Sequence, residues 1–227
     1  MKHILIIATS LALVGCGKKE APKAVYTPPS ALVAAVLTRE FNAQKVTDLE
    51  QIKASSSDPI ERAIAEIFII SQQSMVGGAL KPEEIRARIE ALIQAHPGTW
   101  ISASSRIGLI ETYNPTTEHQ KRIDVLNGLL DDPGLTQMAN PYDPYQEPFI
   151  VGEDALHIST NPRDYALYLL AYTYTSGYDL LGAEKTVDQL KTDYWKSQTA
   201  NHLDQLRKVP TDVLAKRREA FMKGQKS

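Results

Sequence analysis

The chain has 227 residues, 25 basic and 27 acidic, with a formal net charge of −2 and 43% hydrophobic residues. That is enough apolar material for one well-packed domain of about 200 residues. The slightly acidic balance argues against nucleic acid as the main partner. A single cysteine, Cys16, rules out an internal disulfide framework.

Residues 1–15 read MKHILIIATSLALVG. Lys2 supplies an early positive charge, and Ile4 to Val14 is an apolar run broken only by Thr9 and Ser10. The run has the length of a secretory hydrophobic region and is too short to span a bilayer, which needs about 20 apolar residues. Leu13-Val14-Gly15-Cys16 resembles the lipobox of bacterial lipoproteins. The resemblance implies cleavage before Cys16 and a diacylglycerol on its sulfur, which accounts for a lone thiol in an exported chain. Removal of residues 1–15 takes away Lys2 and leaves a net charge of about −3. By the same family analogy, Gly17 in place of an aspartate points to the outer membrane, facing the periplasm. Residues 17–30, GKKEAPKAVYTPPS, carry three prolines and no apolar period, and are expected to be an extended tether.

The body, residues 31–210, shows helical spacing repeatedly and no clear strand pattern, so the expected class is all-α. Ser30 is placed to cap a helix over 31–43, with Leu32, Ala35 and Val36 inward. A shorter helix is expected over 47–54 with Leu49 and Ile52, followed by the breaker SSSDP. Asp58 should cap a helix over 60–74 whose buried face is Ile60, Ile64, Ile67, Phe68 and Ser71. After the turn GGALKP, Pro82 opens a helix with the stripe Ile85, Ile89, Leu92 and Ile93, ending at Ala95. Helices over 101–113 and 118–130 follow, the second packing Ile123, Leu126 and Leu130, with NPTTE between them and DDPG after. Pro97 and Pro133 lie 36 residues apart, a period that suggests helical-hairpin repeats.

Residues 163–197 resemble a tetratricopeptide repeat: Leu170-Ala171 and Tyr174 fit its first helix, Gly177 its turn, and Ala183, Val187 and Leu190 its second. Trp195 stands where that family usually has proline. Residues 100–133 match less well, with Leu109, Ile110 and Tyr113 in register but Arg122 where a small residue is expected. Residues 60–97 are a third, degenerate unit. The resemblance implies an α-solenoid of about three units, since one hairpin cannot bury its own apolar face. An irregular insertion, 138–162, holds four prolines and is either a functional loop or a packed spacer.

Signals for catalysis are weak. His3 leaves with the signal, and His96, His119, His157 and His202 are scattered. On a helix Glu153 and His157 would share a face, as would Asp154 and His157, but two ligands do not make a zinc site. Asp131 and Asp132 read as turn residues, and no glycine-rich phosphate loop or serine elbow is present. No metal or cofactor is expected.

A partner-binding groove is better supported. Tyr165, Tyr168 and Tyr172 share one helix face, and the repeat resemblance gives Ser104, Ile107 and Glu111 equivalent places. These tyrosines either border the groove or fill the space between stacked helices. Residues 211–227 form a basic helix or tail with Val213, Leu214 and Phe221 as its apolar residues, suited to a solvent-facing cap or to contact with anionic lipid. The sequence thus reads as a lipid-anchored scaffold that holds an envelope protein or peptide. The alternatives are a cell-envelope enzyme such as a cell-wall hydrolase, or a small-ligand binder using Tyr142, Tyr145 and Phe149.

Overall fold

The structure is a computed structural model and describes residues 32, 34, 43–75, 80–139 and 161–224. Every regular element among them is helical. In chain order these are α1 (Ala43–Ser55), α2 (Pro59–Met75), α3 (Pro82–Ala95), α4 (Trp100–Thr112), α5 (His119–Leu130), a 3₁₀ helix (Pro133–Ala139), α6 (Pro162–Ser176), α7 (Leu180–Val187), α8 (Asp193–Arg207) and α9 (Thr211–Gly224).

The helix starts follow local chemistry. Asp58 Oδ1 accepts the Ile60 amide at 2.8 Å, and Asn161 Oδ1 accepts the Asp164 amide at 3.2 Å, each satisfying a donor that a helix start leaves open. Pro82 and Pro162 sit in first turns, where a missing N–H costs nothing. α1 begins at Ala43, four residues before the expected start at Thr47. Leu32 and Ala34 are helical, and the rest of the expected 31–43 helix up to residue 42 lies outside the described residues.

Helices pack as successive pairs: α1 on α2, α3 on α4, α4 on α5, and α6 on both α7 and α8, with α5 lying against α6. The core is correspondingly a series of apolar clusters. Leu32, Leu49, Ile64 and Ile69 form one, and Ile67, Ile70, Ile89 and Leu109 the next. Ile107, Ile110, Leu126, Met138 and Leu169 form a third. Trp100 packs against all three and makes them continuous. Each fully buried large side chain contributes about 1.5–3 kcal/mol, and this row of clusters is what holds neighbouring pairs together.

Ionic contacts pin the same pairs. Glu66 receives Lys53 from α1 at 2.5 Å and Arg88 from α3 at 2.6 Å. Arg86 of α3 grips Glu118 with two nitrogens, at 2.9 and 2.7 Å, and donates to the Thr112 carbonyl at 2.6 Å. Burial pushes the Glu118 carboxyl up, but the Asn114 amide, Arg86 and Lys121 outweigh it and bring it down to about 2. The 3₁₀ helix is held by Asp132, whose carboxylate accepts from Ser102 and Arg106 on α4 and from the Gly134 amide. Gly134 is required there, because a Cβ would sit 1.9 Å from the Thr99 carbonyl oxygen.

Two departures from the repeat pattern expected from the sequence have physical reasons. Arg122 is buried, yet its Nη1 donates to the Ile110 and Tyr113 carbonyls at 3.0 and 3.1 Å. The cation thus caps the C-terminal end of α4, where the helix dipole favours positive charge. The second helix of the 163–197 unit stops at Val187, far short of the expected length. Asp164, itself buried, accepts from the Lys191 amide at 2.9 Å, the Thr192 amide at 2.6 Å and the Thr192 hydroxyl at 2.5 Å. Those three bonds hold the chain out of helix between Val187 and Asp193. Trp195 then opens a new helix, α8, and is 1% exposed.

Candidate functional site

α8 decides where the tyrosine stripe goes. Tyr168 stacks on Trp195 at 4.8 Å and 29°, and Tyr165 lies 5.1 Å from the same ring. Both are half-buried between α6 and α8. Tyr172, one turn on, is exposed and meets His202 of α8 edge-on at 5.2 Å. Ser104 and Ile107 are each 2% exposed, so neither is available to a partner; α5, the 3₁₀ helix and α6 cover the α4 face that they occupy. Of the six residues expected to line a groove, only Tyr172 and Glu111 are exposed. Cys16, the loop residues Tyr142, Tyr145 and Phe149, and the Glu153–His157 pair lie outside the described residues.

A concave feature with apolar lining lies elsewhere, between α7, α9 and the end of α8. It is an open cleft of about 620 Å³ walled by Leu180, Leu181, Leu214, Ala215 and Met222. That volume falls in the range of ligand-sized pockets, about 300–1,000 Å³. Leu181 is 61% exposed, the most exposed large apolar side chain among the described residues.

The cleft is built by one sharp turn. Gly177 ends α6 against His119, and a Cβ on it would lie 2.5 Å from the imidazole. Tyr178 then takes a left-handed backbone, φ 60°, which redirects the chain into α7. Asp179 follows and does two jobs. Its Oδ1 accepts the Gly182 amide at 2.9 Å and caps α7, while its Oδ2 takes Arg218 of α9 at 2.6 Å. Phe221 of α9 packs edge-on to His119 at 4.9 Å and to Tyr178 at 6.2 Å. These contacts and buried Leu214 set the roll of α9. On the far rim Arg207 bridges Glu184 at 3.0 Å and Asp204 at 3.3 Å. The cleft therefore has an apolar floor and a rim whose ions are largely paired with one another.

His119 is buried 3% exposed at the base of α9. Burial holds its imidazole below the ordinary range; Arg122 and Arg218 act in the same direction, against a backbone hydrogen bond at Pro115 and the charge of Asp179. His96, at the end of α3, is lowered in the same way by burial and by Arg62. Among the described residues no group of His, Cys, Asp and Glu is arranged to hold a metal ion.

Sequence reasoning noted Leu214 and Phe221 as the apolar residues of a basic tail but did not bring them to the cleft. Leu181 was missed. Its signal is the doublet Leu180-Leu181 on a helix whose inward residues, Ala183 and Thr186, leave Leu181 on another face. Comparison with known proteins returns no matching family, no matching curated protein and no matching solved structure.

Proposed function

We propose that this chain is a membrane-anchored periplasmic lipoprotein that acts as a protein–protein scaffold in the cell envelope. On this reading Cys16 carries the lipid, residues 17–30 form the tether, and the helical body holds a partner segment. The body is read as a degenerate tetratricopeptide-like array. Ala171 and Ala183, both fully buried, support that reading, because small residues let the two helices of a hairpin approach closely. Its last unit is modified, with α8 replacing the end of the second helix.

The observation that carries the proposal is the cleft between α7 and α9. An open, apolar-floored depression with a self-paired rim suits the apolar side chains of a protein segment, which gain from leaving water and meet no unpaired charge. Tyr172, exposed and in edge-on contact with His202, is a second contact point.

In-cell photo-crosslinking tests this. A crosslinking residue replaces Leu181 in one strain, Tyr172 in another, and exposed Glu90 on α3 in a control. One discrete protein captured at 181, absent at 90, supports the scaffold. A folded, lipidated protein that captures nothing at 181 or 172 removes the cleft as a docking site.

A further inference from the structure

His119 is a buried titratable group that lies behind the cleft rather than in it. It opens α5, with Gly177 close against its ring and Phe221 of α9 edge-on at 4.9 Å. Charged and titratable groups face it from every side. On α5, Arg122 is buried, donates to the Ile110 and Tyr113 carbonyls, and has no carboxylate partner among the described residues. Glu118, the preceding residue, is gripped by Arg86 of α3. α6 contributes Tyr174, whose phenol burial and Asp179 push up, so it stays neutral. The turn after α6 contributes Asp179, already committed to the Gly182 amide and to Arg218 of α9. His119, Tyr174, Asp179 and Arg218 line one polar cavity of about 260 Å³. An imidazolium here would stand near two guanidiniums, with Asp179 already taken.

α9 itself is lightly held. It belongs to none of the packed helix pairs that build the array, and Leu214 is the one residue it buries. Unseating it uncovers the imidazole, takes Arg218 away and frees Asp179, and all three changes favour protonation. A proton thus binds the unseated arrangement better than the seated one, and by linkage acid unseats the helix. We propose that His119 is an acid switch for the cleft: its protonation releases α9, and Asp179 exchanges Arg218 for the imidazolium. The inference rests on the scaffold reading only for what the cleft holds. α9 supplies Leu214, Ala215 and Met222 to the cleft, so a bound segment loses one wall when the helix leaves. The imidazole is held low while α9 is seated and titrates near 6.5 once released. Seating is therefore at full strength above about pH 6.5 and weakens as pH falls toward the seated value. Between pH 7.5 and 5.5 the seating constant should fall by up to about tenfold.

Hydrogen exchange on the full chain at about pH 7.5 and 5.5, with each rate divided by that of an unstructured peptide at the same pH, reads the seating. Protection over 211–224 should fall up to about tenfold, while protection over α1, which contains no histidine, should hold. His119→Gln should abolish the fall. Proton NMR covers the case in which that variant seats α9 poorly at every pH. The His119 ring, identified by its loss in His119→Gln, should titrate below 6.5 in the parent and move back toward 6.5 in Phe221→Ala. Protection over 211–224 that is equal at both pH values, a fall that persists in His119→Gln, or a ring that titrates alike in parent and Phe221→Ala overturns the switch. Crosslinking at 181 in cells held at the two pH values separates the two readings. Capture that drops in acid in the parent and not in His119→Gln supports the switch. Capture that holds in acid while protection over 211–224 falls overturns control of the cleft. Capture of nothing at either pH removes the scaffold reading alone, and exchange and titration then decide the switch.

Discussion

Asp164 is the residue on which the break between α7 and α8 depends, and its removal has a calculable cost. The carboxylate is 2% exposed and accepts three hydrogen bonds from residues 191 and 192. It also stands in the first turn of α6, where negative charge is favourable. Hydrogen bonds to a charged group contribute about 1.5–3 kcal/mol each. Lys191 is exposed, so water can replace part of what its amide loses. Asp164→Ala should therefore cost about 3–5 kcal/mol, a large part of a typical stability of about 5–15 kcal/mol. Asp164→Asn keeps an acceptor of the same shape without the charge and should cost about 1–2 kcal/mol. Urea unfolding of the full chain, followed by far-UV circular dichroism, gives the ranking. Hydrogen exchange at the 191 and 192 amides gives the location. If Asp164→Ala stays within about 0.5 kcal/mol of the parent, or those amides remain protected, then Asp164 does not hold the break between α7 and α8.

Three further outcomes follow from named contacts. Glu118→Gln should cost about 1–2 kcal/mol at neutral pH, because it removes the charge gripped by Arg86. The folded carboxyl, brought down to about 2 from 4.5, contributes fully above pH of about 4.5, so the gap between parent and variant should close as pH falls toward about 2. A gap independent of pH in titrated unfolding curves would count against the pair. His119 has the opposite chemistry and the same sign. A base held low when folded binds fewer protons than when released, so stability falls as pH drops below about 6.5. Exchange of the α9 amides should rise on acidification, and His119→Gln should flatten that rise. Gly134→Ala should cost about 1–3 kcal/mol or more, read by thermal melting, since its Cβ meets the Thr99 backbone, which cannot move aside like a side chain.

Helix type and order were legible because period and punctuation agreed. Asp58, Pro82 and the NPTTE turn fall where chain and structure both break, and Ile89, Leu92 and Leu126 are buried as their spacing predicts. What spacing did not reveal was the fate of the second helix after Ala183. TVDQLKTDYW contains no proline or glycine, so local propensity favours continuation. A carboxylate 27 residues upstream ends it instead, and such a contact has no local signature. The same break turned Trp195 from an odd repeat ending into the ring against which Tyr165 and Tyr168 pack. Side-chain type alone could not separate groove from interior for these tyrosines, because both surroundings reward a large ring with a polar tip.

The cleft depends on how α9 is seated, and this makes a final expectation sharp. The inner side of α9 holds its roll through Phe221 and Arg218, and that roll determines the depth of the cleft. Phe221→Ala removes a half-buried ring with two edge contacts, a loss of about 1–2 kcal/mol in docking of a helix with a single buried residue, Leu214. Global stability should barely change, since the clusters around Trp100 are untouched. Exchange over 211–224 should rise, and crosslinking at 181 should fall. Lys216→Glu lies on the outer side and should change neither. If exchange over 211–224 rises while crosslinking at 181 stays at the parent level, the seating of α9 does not set the cleft.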